Sequence, residues 1–517
     1  MDGVNNNNIK TNYSNRFAII LSIALIVNLA FYWLPDSILN IPIKKVDLLS
    51  DIRIYPEKDI NDLLALLEEY EEDDEVGNEI DQAVVTSDST LSSGDRTQQN
   101  IANAVHEHSD TATTDSTVNQ AAKLNNKTAS AFEDEKNKTN YLHNTDIEDF
   151  TSERTGLSNF FSALNNIDNL GRPVRIAFVG DSFIEGDILV ADFRARMQEH
   201  FGGKGVGFIP IESNVSQFRT TIKQSANGWN TYSIIKNKSR KYVISGMQFE
   251  PTSNNASVNI QTTNTYPGLE EVPSLKFIYS KNENTSILLK SNTDTTLYEL
   301  PPTENIMLYE IKSRFSKGTL QLKDSQGLNA IGMAIEDNHG VIVDNLALRG
   351  NSGIIMSELD SKSCRDLQHI RPYDLIVLQY GLNVASDSVL EYGWYRNSMI
   401  PVVEHVQNCF PGADILILGV SDRSHKDGNT YSTMPAILSL LRAQRQTAIR
   451  TEVTFWSTFA AMGGYNSMVK YVDSNWASKD YTHLSFRGGR EIANALYEAI
   501  INEKIIYDND EEYAERE

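Results

Sequence analysis

VRIAFVGDSFIEGD (Val174–Asp187) is the stretch that decides the architecture. Its first seven residues form an apolar run closed by a glycine, the signature of a strand buried on both faces of a parallel sheet. Three similar runs follow: VIVDNLAL (Val341–Leu348), DLIVLQYG (Asp374–Gly381) and ADILILGV (Ala413–Val420), with TEVTFW (Thr451–Trp456) as a weaker fifth. Helical periodicity fills the intervals at Asp187–Phe201, Ile354–Leu367, Glu391–Asn408, Met434–Arg450 and Ser485–Glu503. Strands alternating with helices predict an α/β domain with a parallel sheet covered on both faces. In such sheets the active residues collect at the carboxyl ends of the strands.

Between the first and second strand the alternation fails. From about Ile211 to Gly340 there is no helical period, only short alternating runs such as YVISGMQFE (Tyr242–Glu250), SVNIQT (Ser257–Thr262), LKFIYS (Leu275–Ser280), TSILLKS (Thr285–Ser291), IMLYEIKS (Ile306–Ser313) and GTLQLKD (Gly318–Asp324). Turn residues separate them, so an all-β sandwich is predicted, inserted into the α/β domain.

At the other end, FAIILSIALIVNLAFYWL (Phe17–Leu34) is long enough for a membrane helix, which needs roughly 20 apolar residues. No small-x-small cleavage site follows it, and it ends in Phe31, Tyr32 and Trp33, residues suited to a membrane interface. It therefore reads as an uncleaved anchor. Lys10 and Arg16 before it and Lys44, Lys45 and Arg53 after it leave positive-inside counting close to a tie; the simpler topology is a short cytoplasmic tail (1–16) with the remainder outside. Residues 35–150 read as a flexible acidic and polar stalk, because the Ser, Thr, Asn, Asp and Gln around Ser87–Thr145 offer too little apolar surface to offset ordering entropy. His106 and His108 lie in this tract as solvated residues, not as metal ligands. The expected organisation is then anchor (17–34), stalk (35–150), the opening segment of the α/β domain (151–210), inserted sandwich (211–340), the closing segment of the α/β domain (341–505) and acidic tail (506–517).

A net charge of −23 over 517 residues excludes nucleic acid as a partner, since phosphates call for clustered Lys and Arg. Two cysteines, Cys364 and Cys409, can make neither a zinc site alone nor a disulfide-rich scaffold; a bridge and two buried thiols are both open.

Ser182 follows the first strand directly, where an exposed nucleophile belongs. A neutral serine needs a base, and the candidate is His483 in SKDYTHLSFRGGREIANAL, with Asp480 three residues before it. Alone, Asp-x-x-His reads as a helix cap and a surface histidine. Paired with a strand-end GDS across one α/β domain, it reads as a base with the carboxylate that fixes its tautomer. Donors for an oxyanion are available after the second strand, in LRGNSGI with Gly350 and Gly353, and after the third, in QYGLN with Asn383. Asp187 and Glu185 read as a helix start, and SDRSH (Ser421–His425) as a plain loop.

The ordered blocks GDS, a glycine-bearing second block, GLN and DYTH resemble the SGNH (GDSL-type) hydrolases over roughly 172–210 and 341–505. The resemblance implies a three-layer α/β/α fold, Ser182 as nucleophile, Asp480 and His483 completing a triad, and an oxyanion hole from Ser182, Asn383 and either Gly350 or Gly353. GDSFIEGD, FGGKGVGFIP (Phe201–Pro210), a β-rich insertion, VDNLALRG, AAMGGYNSM (Ala460–Met468) and DYTHLSFRGG together resemble the peptidoglycan O-acetyl esterases. In those proteins the insertion looks like a carbohydrate-binding module, and many carry GDSH where this chain has Phe183. The expectation is an envelope-anchored, extracytoplasmic esterase that removes acetyl groups from a cell-wall glycan or surface polysaccharide, with no metal or organic cofactor. Two rivals are an O-acetyltransferase working with a membrane acyltransferase partner and a non-catalytic glycan-binding protein.

Overall fold

The computed structural model describes residues 142–514, except 293 and 429, together with a hairpin pairing Ser37–Ile38 with Ile41–Pro42. The expected anchor at Phe17–Leu34, His106, His108 and nearly all of the stalk lie outside the described residues. Among the described residues no helix is long and apolar enough to cross a membrane.

Five parallel strands form the central sheet: β1 (Val174–Gly180), β2 (Val341–Ala347), β3 (Leu375–Gln379), β4 (Asp414–Gly419) and β5 (Thr454–Ser457). Their order is β2-β1-β3-β4-β5. Every residue of β1, β3, β4 and β5 is buried, which is why these segments are apolar without alternation. The chain runs from β1 to β2 on one side and from β3 onward on the other, so the sheet reverses direction between β1 and β3. That switch point is where an open α/β sheet offers a crevice. Helix α1 (Val190–Phe201) packs with the last helix, α5 (Phe486–Ala514); α2 (Ser361–Ile370), α3 (Gly393–Cys409) and α4 (Ala436–Thr451) pack in succession as a second layer.

Several boundaries differ from the sequence reading. A sixth, antiparallel edge strand, Glu148–Asp149, pairs with β5, and Trp456 Nε1 donates to Thr145 O at 2.9 Å. The folded domain therefore begins inside the segment assigned to the stalk. The helix expected over Ile354–Leu367 is a 3₁₀ turn (Ile354–Glu358) followed by α2, restarted where Asp360 accepts the Ser363 N–H. The segment assigned to an acidic tail continues α5 as far as Ala514. Lys504 supports that extension through an i,i+4 pair with Asp508 at 2.7 Å.

The insertion is a sandwich of two antiparallel sheets. One runs Met307–Ile311, Leu275–Lys281, Asn329–Ile335, Met247–Pro251, Trp229–Ser233; the other runs Thr295–Glu299, Ser286–Ser291, Lys317–Lys323, Ser257–Thr262, Ile222–Asn227. Their inner faces share a core that includes Phe249, Phe277, Ile287, Leu320 and Met333. The strand Gly207–Ile209 pairs with Asn329–Ile335, so the sandwich starts a few residues before Ile211.

Departure and return lie side by side. A Cβ on Gly340 (φ +75°) would sit 2.2 Å from Gly203 N, so only glycine allows the two crossings to touch. Beside them Glu336, fully buried, meets Arg175 at 2.8 Å, Lys276 at 2.9 Å and Arg371. Burial opposes its charge, but these three cations hold the Glu336 carboxyl well below the usual range. Arg371 also holds Asp344 of β2, whose Oδ1 accepts the Phe208 N–H at 2.8 Å. The sandwich is thus tied to the sheet by paired buried charges.

Candidate active site

At the carboxyl end of β1 the chain turns at Asp181. Its Oδ1 accepts the Phe183 N–H at 2.9 Å and caps a 3₁₀ turn over Ser182–Asp187. Ser182 is therefore the first residue on the turn, half-buried at the sheet rim. The expected helix Asp187–Phe201 is this turn followed by α1.

The second element is the loop before α5. His483 Nε2 lies 3.3 Å from Ser182 Oγ, and His483 Nδ1 lies 2.6 Å from Asp480 Oδ2. A carboxylate accepts only, so Nδ1 carries the proton and Nε2 is left to accept the serine O–H. Asp480 Oδ1 accepts from Thr482 N at 2.9 Å, His483 N at 3.1 Å and Ser478 Oγ. Burial alone would raise this carboxyl; the hydrogen bond and charge of His483, with the Ser478 and Thr482 donors, bring it down to about 2.

The glycine pair of SFRGG explains how the loop reaches the serine. A Cβ on Gly488 would sit 2.0 Å from Trp476 O, and one on Gly489 2.0 Å from Ile188 O. With no side chain at either position, α5 starts directly against the backbone that follows the Ser182 turn. Between Asp480 and His483, Tyr481 adopts φ +59°, a left-handed conformation that costs an aromatic residue of order 1–3 kcal/mol. Its surroundings hold it there. Tyr431 stacks on its ring at 3.7 Å, and Tyr481 O accepts the Ser424 N–H at 3.1 Å.

Tyr431 and Ser424 belong to a hairpin, Ser424–Asp427 with Thr430–Thr433, where the sequence reading placed a plain loop. Its strands are too short and polar to be seen as such. The hairpin touches the third block as well: His425 Nδ1 lies 2.8 Å from Asp387 Oδ1, and Arg423 donates to Leu382 O at 3.3 Å. AAMGGYNSM supports it from behind, with Asn466 Oδ1 accepting the Thr433 N–H at 3.0 Å and Met468 N donating to Asp422 Oδ2 at 2.8 Å.

Of the oxyanion candidates, Gly353 is excluded as a free donor. It is buried, and its N–H is held by Asn351 Oδ1 at 2.9 Å. Gly350 is half-buried in the loop that follows the Leu348 N–H to Gly180 O bond of 2.8 Å, and its N–H has no acceptor among the described residues. Asn383 is exposed at the rim, with Nδ2 donating to Asp181 Oδ2 at 3.1 Å and to Asn351 O at 2.9 Å. Burial pushes the Asp181 carboxyl up to about 7, against the pull of the Phe183 N–H and His483.

The remaining residues near the turn fall elsewhere. Phe183, where many relatives carry histidine, is 3% exposed and belongs to the core. Glu185 pairs with Arg349 Nε at 2.8 Å, and Asp187 is fully buried at φ +67°, so neither starts a helix. Cys364 and Cys409 are buried, unbridged thiols. Among the described residues no His, Cys, Asp and Glu cluster is placed to hold a metal ion.

No family model and no curated protein matches this chain. Among solved structures, a peptidoglycan O-acetylesterase superposes with a TM-score of 0.58 at 20% identity, over 69% of this chain and 99% of its own. The chain has the SGNH hydrolase fold. Its likeness to that esterase spans the sheet and the inserted sandwich together, since 69% of 517 residues is close to the whole span from Leu142 onward. A family two carbohydrate esterase from Cellvibrio japonicus (TM-score 0.24, 10% identity, 55% of this chain and 98% of that one) and a salicylyl-acyltransferase from a tetracycline biosynthetic pathway (0.26, 11%, 55% and 94%) also match. Both superpose too loosely to say more about this chain.

Proposed function

We propose that the protein is a serine O-acetyl esterase acting on a cell-wall glycan or surface polysaccharide. The observation that carries this reading is the contact of Ser182 Oγ with His483 Nε2 at 3.3 Å, backed by Asp480 at 2.6 Å from Nδ1. Three groups from opposite ends of the domain meet at one sheet rim in the order nucleophile, base and tautomer-fixing carboxylate.

Ser182 Oγ attacks the acetyl carbonyl carbon as His483 Nε2 takes its proton. The resulting imidazolium is stabilised by ionised Asp480, then protonates the sugar oxygen as the ester C–O bond breaks. Water repeats the sequence on the acetyl-enzyme and releases acetate. The oxyanion is received by the N–H groups of Ser182 and Gly350, with Asn383 Nδ2 as a third donor once it exchanges Asn351 O for the substrate. The likeness in fold to a peptidoglycan O-acetylesterase supports the choice of an acetylated glycan. On the same reading Phe17–Leu34 tethers the enzyme to the envelope, which membrane fractionation of the full chain would test.

The experiment is acetate release from an O-acetylated glycan and from a chromogenic acetyl ester by the wild type and by Ser182→Ala. The wild type releases acetate from both and the variant from neither. Equal activity in the variant removes the assignment.

A further inference from the structure

One cationic group beside the nucleophile turn has no part in this chemistry. Arg219 lies in the loop leading into the sandwich strand Ile222–Asn227, with its side chain 10% exposed. Its Nε donates to Asp187 Oδ2 at 2.9 Å and to Thr221 Oγ1 at 3.1 Å. Asp187 is already supplied by Arg194 at 3.1 Å, Thr221 Oγ1 at 2.6 Å and Asn345 Nδ2 at 2.8 Å. Arg219 Nη2 is buried and donates to no group among the described residues.

Arg219 lines a cleft of about 60 Å³ between the sandwich and the sheet, whose other walls include Ser216, Glu185, Gly186 and Ala347. Glu185 and Gly186 lie on the turn that Ser182 opens, where the chain kinks. Arginine does not shed its proton in proteins, so Arg219 stays charged, largely out of water, with Nη2 short of an acceptor among the described residues. A guanidinium in this state favours a planar oxyanion that takes two N–H bonds at once.

We propose that Arg219 reads a carboxylate borne by the glycan substrate, so that the esterase acts on acetyl groups near an acidic substituent. The inference rests on the esterase reading. The carboxylate belongs either to a uronic acid or to an acidic chain attached to the sugar; the chemistry at Arg219 is the same.

Two matched substrate pairs test it at fixed ionic strength: an O-acetylated uronate oligosaccharide against its carboxyl-reduced form, and an O-acetylated muramyl oligosaccharide with a free against an amidated lactyl carboxyl. The wild type is expected to favour the acid by about 10- to 150-fold in kcat/KM for at least one pair, the range of a charge-assisted bond. Arg219→Gln is expected to bring that ratio close to one. The pair that responds identifies the carrier. No preference in either pair overturns the proposal, as does a variant that loses activity on acid and neutral substrates in equal proportion. Should Arg219→Gln fail to fold, competition decides. Free uronate oligosaccharide, or free muramyl oligosaccharide with its lactyl carboxyl, is then expected to inhibit wild-type hydrolysis of a chromogenic acetyl ester at least tenfold better than its carboxyl-reduced or amidated form; equal inhibition in both pairs, or stronger inhibition by inorganic phosphate, overturns the proposal. If the wild type hydrolyses no acetyl ester at all, it is the esterase reading that fails.

Discussion

Replacing Asp480 with asparagine tests how the site divides its work. The carboxyl is held at about 2 against an ordinary 3.8. At 1.36 kcal/mol per pH unit this difference is about 2.4 kcal/mol, shared among His483, Ser478 and Thr482 against the cost of burial, and it sets a scale of about 60-fold for a rate that depends on the carboxylate beside an imidazolium. A second effect adds to it. An asparagine amide facing Nδ1 forces the other tautomer and leaves a proton on Nε2, the nitrogen that must accept from Ser182 Oγ 3.3 Å away. Losing that tautomer elsewhere costs about 10⁴ in kcat, so a fall of about 10³ to 10⁴ is expected here. The loop itself should persist, because an asparagine Oδ1 still accepts from Thr482 N and His483 N as Asp480 does. The assay is kcat on a chromogenic acetyl ester, with thermal melts as the folding control. A folded variant within twofold of the wild type would refute the reasoning; a loss near 60-fold would assign the effect to charge alone.

Other outcomes follow from the same geometry. The folded Asp480 carboxyl is depressed, so its contribution to stability is present above pH 3.8 and disappears as pH falls through about 2; the wild type and Asp480→Asn should differ in melting temperature at neutral pH and converge near pH 2. Asp181 has the opposite sign: its folded carboxyl is raised to about 7, so stability declines as pH rises from 3.8 through 7, and Asp181→Asn should flatten that slope in the same melts. Gly489→Ala drives a Cβ to 2.0 Å from Ile188 O and should cost about 2 kcal/mol in denaturant unfolding, with kcat falling as the His483 loop moves away; an unchanged midpoint would contradict the close approach. Tyr431→Ala removes the ring stacked on Tyr481, and kcat should drop about fivefold with Tyr431→Phe restoring it, as expected of a stack that contributes about 1 kcal/mol.

What sequence reading could reach depended on how local each signal is. β1, β3 and β4 are apolar at nearly every position, Arg175, Gln379 and Asp414 apart, because both faces are covered, and a run of that kind is visible without any partner. Asp480 and His483 were legible for the same reason, since three residues separate them. The choice between Gly350 and Gly353 was not, because it turns on the Asn351 side chain that occupies the Gly353 N–H. Polar elements escaped too. The edge strand Glu148–Asp149 has two residues, and the hairpin Ser424–Thr433 has no apolar face to announce it. Asp187 looked like a helix start because acidic residues favour that position; its partners Arg194 and Arg219 show it to be the centre of a buried charge cluster. Arg219 carries no motif, and its significance appears only once the sandwich is folded against the sheet.

The account depends most on Ser182 being activated by His483, and a serine-directed fluorophosphonate measures this directly. It should label the wild-type protein once, on the peptide containing Ser182, and should label His483→Ala at least a hundredfold more slowly. Labelling at another serine, or at an equal rate in the variant, would contradict it.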